Sequence, residues 1–321
     1  MRYFTVCSWD CKLAFTFAFT VALMLAAAFP VFAQDADKAP LPPPGPPPPA
    51  VFQNPIPPDQ LSFLNDYAGR SAKDLRKDKR FKSLLKQITP RTEYHYGHDM
   101  PLSETSESLL DGPPLPVDIR EGRYVMAGSH GGPYLSGRGF VWFDMKTGIG
   151  LGGVYFRPTN GEPTPTLAIF SRQLRDDSLV TSQLPQPFIE DLNQWALVAG
   201  VPPLTVRYFI PDNGKKYALL HDEDYCWSPP DAVPPNPDRC AQMNADAADL
   251  DMNAAYFMQQ THNQANATAW MLDPEQVAWI GLRDRSCGVG FDAVSCRIRI
   301  TRQRTRVILG PRGREIHAGR E

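Results

Sequence analysis

The sequence predicts an α+β protein, in which an N-terminal antiparallel sheet with flanking helices is followed by a small, disulfide-stapled helical domain. Three observations carry that expectation. At Gly122 the hydrophobic period changes from helical to strand-like, and the connections that follow are too short for crossover helices. The turn Asp212-Asn213-Gly214 lies between the apolar runs 206–210 and 217–220, a strong hairpin signal. After His221 a proline-rich stretch closed by cysteines leads into segments with helical spacing.

The elements follow in order. Residues 1–33 begin with Arg2 and Lys12, run apolar from Leu13 to Phe29 and end in small residues at Ala33, the pattern of a secretory signal. An uncleaved anchor is the alternative, because the run falls near the lower limit for spanning a bilayer. Residues 34–58 hold "KAPLPPPGPPPPAVFQNPIPP", too dense in proline for a helix or central strand, and are expected to form an extended, disordered spacer. The first folded domain is placed at 59–221. Asp59 is expected to cap a helix through Tyr67, and a second helix runs from about Ala72 to Gln87 on Leu75, Phe81, Leu84 and Leu85. Strands are expected at 123–126, 140–143, 150–156 and 167–170, with Asp144 to Gly148 as a turn. Pro187 to Ala199 reads as a helix stopped by Gly200. The helical domain is placed at 222–310, on the period Ala248, Met252, Ala255, Tyr256, Gln259, on a helix opened by Asp273-Pro274 and on the arginine-rich segment near the C-terminus. Residues 311–321 form a tail.

Two of the six cysteines, Cys7 and Cys11, leave with the signal, so the mature chain keeps Cys226, Cys240, Cys287 and Cys296. In an oxidising compartment the short-range pairs Cys226–Cys240 and Cys287–Cys296 are the simple expectation, among three connectivities that four cysteines allow. No C-x-x-C spacing supports a zinc site. The formal net charge of −2 argues against a nucleic-acid partner and is compatible with a basic protein partner. The series Arg297, Arg299, Arg302, Arg304, Arg306 reads as a solvated helix face, since no aromatics interleave it.

Catalytic motifs are sparse. The stretch "GSHGGPYLSGRG" from Gly128 to Gly139 is glycine-rich, yet no nucleophile elbow accompanies its "SHGG". A phosphate cradle would run into a helix, and this loop runs into the strand at Phe140. His95, His98 and Asp99 in "YHYGHDM" lack a third metal ligand and read as an aromatic turn. Asp176-Asp177 and Asp222, Glu223, Asp224 sit in polar, loop-like contexts explained by solvation. No cofactor and no metal are expected, and the protein reads as a non-enzyme.

Three C-terminal motifs carry a resemblance. "ADLDMNAAY" (Ala248 to Tyr256), "QVAWIGLRDRSC" (Gln276 to Cys287) and "TRQR" (Thr301 to Arg304) resemble the LprI-like lysozyme-inhibitor domain over roughly residues 226–309. The resemblance gives Asp249, Asn253, Tyr256, Gln276, Trp279, Arg283, Asp284 and Arg304 scaffold roles, with Tyr256 and Trp279 as core bulk and Arg283 and Asp284 pinning helix ends. More loosely, "GRYVMAGSHGGPYLSGRGFVWFD", preceded by Phe81 to Leu85, is similar to the Ivy family of vertebrate-lysozyme inhibitors. There a disulfide-closed loop carries a histidine into the lysozyme cleft. In this chain Ser129 and Tyr134 stand where the two cysteines would be and Gly132 where the histidine would be, with His130 two positions earlier and Pro133 as a partial stiffener.

The resemblances imply that Ser129, His130, Gly131, Gly132, Pro133 and Tyr134 form a target-binding loop. Whether it is an active plug or a degenerate loop on a retained scaffold stays open, because losing the staple costs preorganisation. The expected function is a periplasmic or secreted inhibitor of a c-type lysozyme or endogenous muramidase, with no membrane insertion after signal removal and a homodimer left open. An envelope interaction protein using the same folds without inhibition is the alternative, and a cell-wall hydrolase would require a cleft holding two perturbed carboxylates.

Overall fold

Asp78 breaks what the apolar spacing reads as a single helix. It takes an extended conformation (φ −68°, ψ 129°), and its carboxylate accepts the Arg80 N–H at 2.7 Å, ending α2 (Ala72–Lys77) and capping α3 (Lys79–Ile88). The expected cap at Asp59 is displaced as well: the first helix, α1 (Pro58–Leu61), starts on Pro58, with Asp59 in its first turn, and continues as a 3-10 turn through Tyr67.

The computed structural model describes residues 51–131, 137–157, 165–175, 179–202, 204–228, 232–265, 272–290 and 292–310. The expected signal, most of the spacer, the tail and Gly132, Pro133 and Tyr134 lie outside the described residues. Residues 51–58, assigned to the spacer from sequence, instead belong to the fold: Phe52 bridges Leu174, and Ile56 is fully buried. Apolar residues between the prolines gain more from burial than an extended chain gains from solvation.

A hairpin of β1 (Glu93–Tyr96) and β2 (His98–Pro101) turns at Gly97 and leads into α4 (Leu102–Leu110). The main sheet has seven strands in sequence order: β3 (Asp118–Arg120), β4 (Tyr124–Gly128), β5 (Arg138–Asp144), β6 (Ile149–Phe156), β7 (Thr166–Phe170), β8 (Val206–Ile210) and β9 (Tyr217–Ala218). Neighbours are antiparallel except β7 and β8, which run parallel because α5 (Gln186–Ala199) carries the chain back between them. Gly200 stops α5 in the left-handed conformation (φ 67°), as its position in the sequence predicts.

Alternation along the strands sorts side chains to two faces. Met126, Phe140, Trp142, Leu151, Ile169 and Phe209 pack under α5 with Phe188, Leu192 and Trp195. On the other face Val125, Val141 and Phe143 meet Leu75, Phe81, Leu84 and Ile88 of α2 and α3. Farther along that face, Val154, Phe170, Val206, Tyr208 and Ile210 pack with Leu102 and Leu109 of α4.

The helical region consists of α6 (Pro237–Ala265), α7 (Leu272–Cys287) and α8 (Ala293–Leu309). Both expected disulfides are present, Cys226–Cys240 beside the start of α6 and Cys287–Cys296 between α7 and α8. Ala254 and Met258 of α6 join the core beneath Val206, Tyr208 and Ile210, so the helices complete the sheet's second face. The described residues from Val51 onward accordingly fall in one compact unit, without a separation of cores near residue 221. Burying a side chain such as Met258 contributes about 1.5–3 kcal/mol.

Candidate functional site

Strands β4 and β5 hold the glycine-rich loop, and hydrogen bonds fasten its base. The Ser129 hydroxyl donates to the Leu109 carbonyl at 2.6 Å and accepts the Gly139 N–H at 3.1 Å. The Ser129 carbonyl accepts the Trp195 indole N–H at 3.1 Å. Gly128 leaves room for that indole, since a Cβ there would lie 2.6 Å from the indole nitrogen. At the other end the Gly137 N–H donates to the Tyr96 hydroxyl at 3.1 Å.

Ser129, expected to face a target, is fully buried and belongs to the loop's base. Its hydroxyl is short enough to satisfy two main-chain groups at the site where the resemblance places a cysteine. Ser129→Ala strands both groups and is expected to lower unfolding stability by about 1–3 kcal/mol, measured by urea denaturation. His130 and Gly131 are half-buried. The His130 amide donates to the Pro113 carbonyl at 2.9 Å. Gly131 lies against the Arg138 guanidinium, where a Cβ would approach Nη2 to 2.2 Å. Gly132, Pro133 and Tyr134 lie outside the described residues.

The helical motifs converge on one clamp. From α7, Arg283 Nη1 reaches Asp249 Oδ1 of α6 at 2.9 Å and the Thr301 hydroxyl of α8 at 3.2 Å. Arg304 of α8 donates to Gln276 Oε1 at 3.3 Å and pairs with Glu275 at 2.8 Å. Between them Trp279 meets both guanidiniums, 5.5 Å and 5.6 Å from its ring. Three expectations are corrected. Trp279 and Tyr256 are half-buried and not core bulk. Asn253 is exposed. Arg283 ties three helices from within α7, with half-exposed Asp284 as its neighbour at 3.0 Å, where helix-end pins were expected. Among the described side chains of α7 no apolar stripe is wide enough to seat it by hydrophobic contact alone: Gln276 is buried while Val277 and Leu282 are exposed.

A third cluster joins the helices to the sheet, and reading the sequence missed it. His221 Nδ1 lies 2.6 Å from Asp251 Oδ1, and the His221 main-chain N–H donates to Asp251 Oδ2 at 2.8 Å. Nearby, Arg207 of β8 pairs with Glu223 at 2.6 Å. The available signal was Asp251 itself, an acid on the inward stripe of Ala248, Met252 and Ala255, where a carboxylate requires a partner.

Burial pushes the Asp251 carboxyl up against the pull of His221. Burial also raises Glu223, but Arg207, the residue's own main-chain N–H and His221 together outweigh it and the net displacement is downward. Opposed proton affinities of this kind can mark an acid and a base. Here both Asp251 oxygens are taken by His221, and Asp251 is absent from the lining of the 1000 Å³ groove that Glu223, Arg207, Tyr225 and Trp227 help to form. The two carboxylates therefore do not face a common substrate space. Among the described residues no three His, Cys, Asp or Glu side chains gather as metal ligands, and no helix is long and apolar enough to cross a membrane.

Residues 230–307 match the family model described as lysozyme inhibitor LprI, so the matched domain family is one of inhibitors and not of enzymes. No curated protein and no solved structure matches the chain.

Proposed function

We propose, from the LprI match over residues 230–307, that the protein is an exported inhibitor of a lysozyme or an endogenous muramidase. The observation that carries this reading is the fit between match and geometry. Asp249, Gln276, Trp279, Arg283 and Arg304 all lie within the matched residues and build one clamp across three helices. That clamp holds α7 while leaving Val277 and Leu282 exposed for a partner. Two disulfides suit an oxidising compartment, in keeping with the signal-like residues 1–33 and a periplasmic or secreted location.

The Ivy-like reading of the N-terminal half adds a second point of engagement, the loop at His130 and Gly131. Its pinned base lowers the ordering cost that the absent cysteines would otherwise impose. An imidazole entering a cleft with two carboxylates can hydrogen-bond to either.

Purified protein titrated against lysozyme and lytic transglycosylase on cell-wall substrate is the test. Unchanged hydrolysis at high molar excess rejects the reading. His130→Ala is expected to weaken inhibition about tenfold, the worth of one well-placed hydrogen bond. If inhibition is intact in that variant, the loop is a passive part of the scaffold. The intact chain is the proper subject, since cutting between residues 222 and 237 exposes the core shared by α6 and β8.

A further inference from the structure

Between Arg70 and Thr92 the chain carries nine Lys and Arg against two Asp, although the protein as a whole has a net charge of −2. Part of this charge is offset: Arg76 pairs with Asp111 at 2.7 Å, Lys77 with Asp74 at 3.1 Å and Arg80 with Asp78 at 2.7 Å. Lys79, Lys82 and Lys86 are not offset. They recur at helical spacing on the solvent side of α3, and with exposed Arg91 they make no ion pair with any described residue.

Lys86 and Arg91 open onto a cleft of about 910 Å³, lined also by Ser83, Thr92 and Arg172, with Glu93 as its acidic residue. Arg172 adds to the surplus, because it shares Asp212 with Arg175, at 3.1 Å and 2.5 Å, two guanidiniums on one carboxylate. The described chain also enters here. Asn54, three residues after Val51, lines a smaller cavity that has Arg172 and Gln87 in common with the cleft.

We propose that this basic face, the Lys79–Lys82–Lys86 row with the Arg91 and Arg172 cleft, binds the anionic headgroups of a phospholipid bilayer. Ammonium and guanidinium groups donate charge-assisted hydrogen bonds to phosphate oxygens, and clustered Lys and Arg are drawn to the negative potential of such a surface. The row spans about 10 Å at the α-helical rise, broader than one phosphate and suited to several headgroups side by side. Upstream of Val51 the sequence carries the apolar run Leu13–Phe29, a signal-like segment that export machinery delivers to a membrane. Insertion of α3 is excluded, because Phe81, Leu84, Leu85 and Ile88 are already buried against the sheet. The contact is therefore superficial and salt-sensitive, and it does not depend on the inhibitor reading.

The test is co-sedimentation of the full chain with vesicles of phosphatidylglycerol and phosphatidylcholine against vesicles of phosphatidylcholine alone. The N-terminal segment with Arg2 and Lys12 is common to the parent chain and its variants, so the difference between them isolates the basic face. About a tenfold preference for the anionic vesicles is expected at low salt. It should vanish at about 0.5 M salt. The triple variant Lys82→Glu, Lys86→Glu, Arg91→Glu, all at exposed positions and checked for an unchanged thermal transition, should lose the preference, while Lys82→Arg with Lys86→Arg should keep it. Equal binding to both vesicles overturns the proposal, as does a preference that survives charge reversal. Binding of soluble polyphosphate without a vesicle preference overturns the bilayer as the ligand.

Discussion

Asp251→Ala is expected to lower the unfolding free energy by about 2–5 kcal/mol, because two buried groups of His221 lose their partner at about 1–3 kcal/mol each. Asp251 accepts the main-chain N–H of His221 and shares a 2.6 Å hydrogen bond with its Nδ1, and the His221 side chain has no solvent exposure. With the carboxylate gone, two buried polar groups lose their partner at the point where α6 meets the sheet. Asp251→Asn keeps one side-chain oxygen and should cost less, about 1–3 kcal/mol. Urea denaturation followed by far-ultraviolet circular dichroism and by tryptophan fluorescence is the measurement. Trp142 and Trp195 lie in the sheet core and Trp279 among the helices, so coincident curves are expected for a shared core. A loss below about 1 kcal/mol in Asp251→Ala would mean that apolar contact alone holds the joint.

Arg283→Ala is expected to free α7 while the sheet stays folded. The guanidinium satisfies Asp249 and Thr301 and lies over Trp279, and the described side chains of α7 bury little apolar surface to take over. Loss of these contacts is worth roughly 2–3 kcal/mol, since the bond to a carboxylate is charge-assisted. The readout is amide hydrogen exchange. Protection in residues 274–286 should collapse toward that of a locally open segment, while β4 to β8 keep theirs. Arg283→Lys should recover only part, because one ammonium can serve Asp249 and Thr301 but cannot also reach Asp284 or lie as a plane against Trp279. The Cys287–Cys296 disulfide keeps the end of α7 beside α8 in both variants, so exchange should rise most toward the helix start. Uniform protection across α7 in Arg283→Ala would assign its attachment to the disulfide alone.

The legible parts of this fold were those in which a local pattern has one physical solution. Alternating residues in β4 to β6, the left-handed Gly200, the Asp212-Asn213-Gly214 turn and the two short-range cysteine pairs all belong to that class. Asp78 was read through because helical spacing continues across it, while its cap bond to Arg80 depends on an extended conformation that spacing does not encode. Periodicity says which face of a helix is buried and not what covers it. Ala254 and Met258 fit a helical bundle as well as they fit the underside of β8.

The candidate site divides in the same way. The motif residues were identified, but Trp279 was assigned to a core because bulk usually means burial, whereas two arginines enclose it. Ser129 was assigned to a contact surface because it stands at a cysteine position, and only its partners Leu109, Gly139 and Trp195 reveal a structural role.

The place of α6 beneath β8 also imposes an order on synthesis. As the chain emerges from the ribosome, Val206, Tyr208 and Ile210 precede by some fifty residues the Ala254 and Met258 that cover them. Until that point α4 and β1 alone cover these β8 side chains, and the part of the wall that α6 supplies is missing. Closure then waits for the last third of the chain, with Cys226 and Cys240 meeting as α6 arrives.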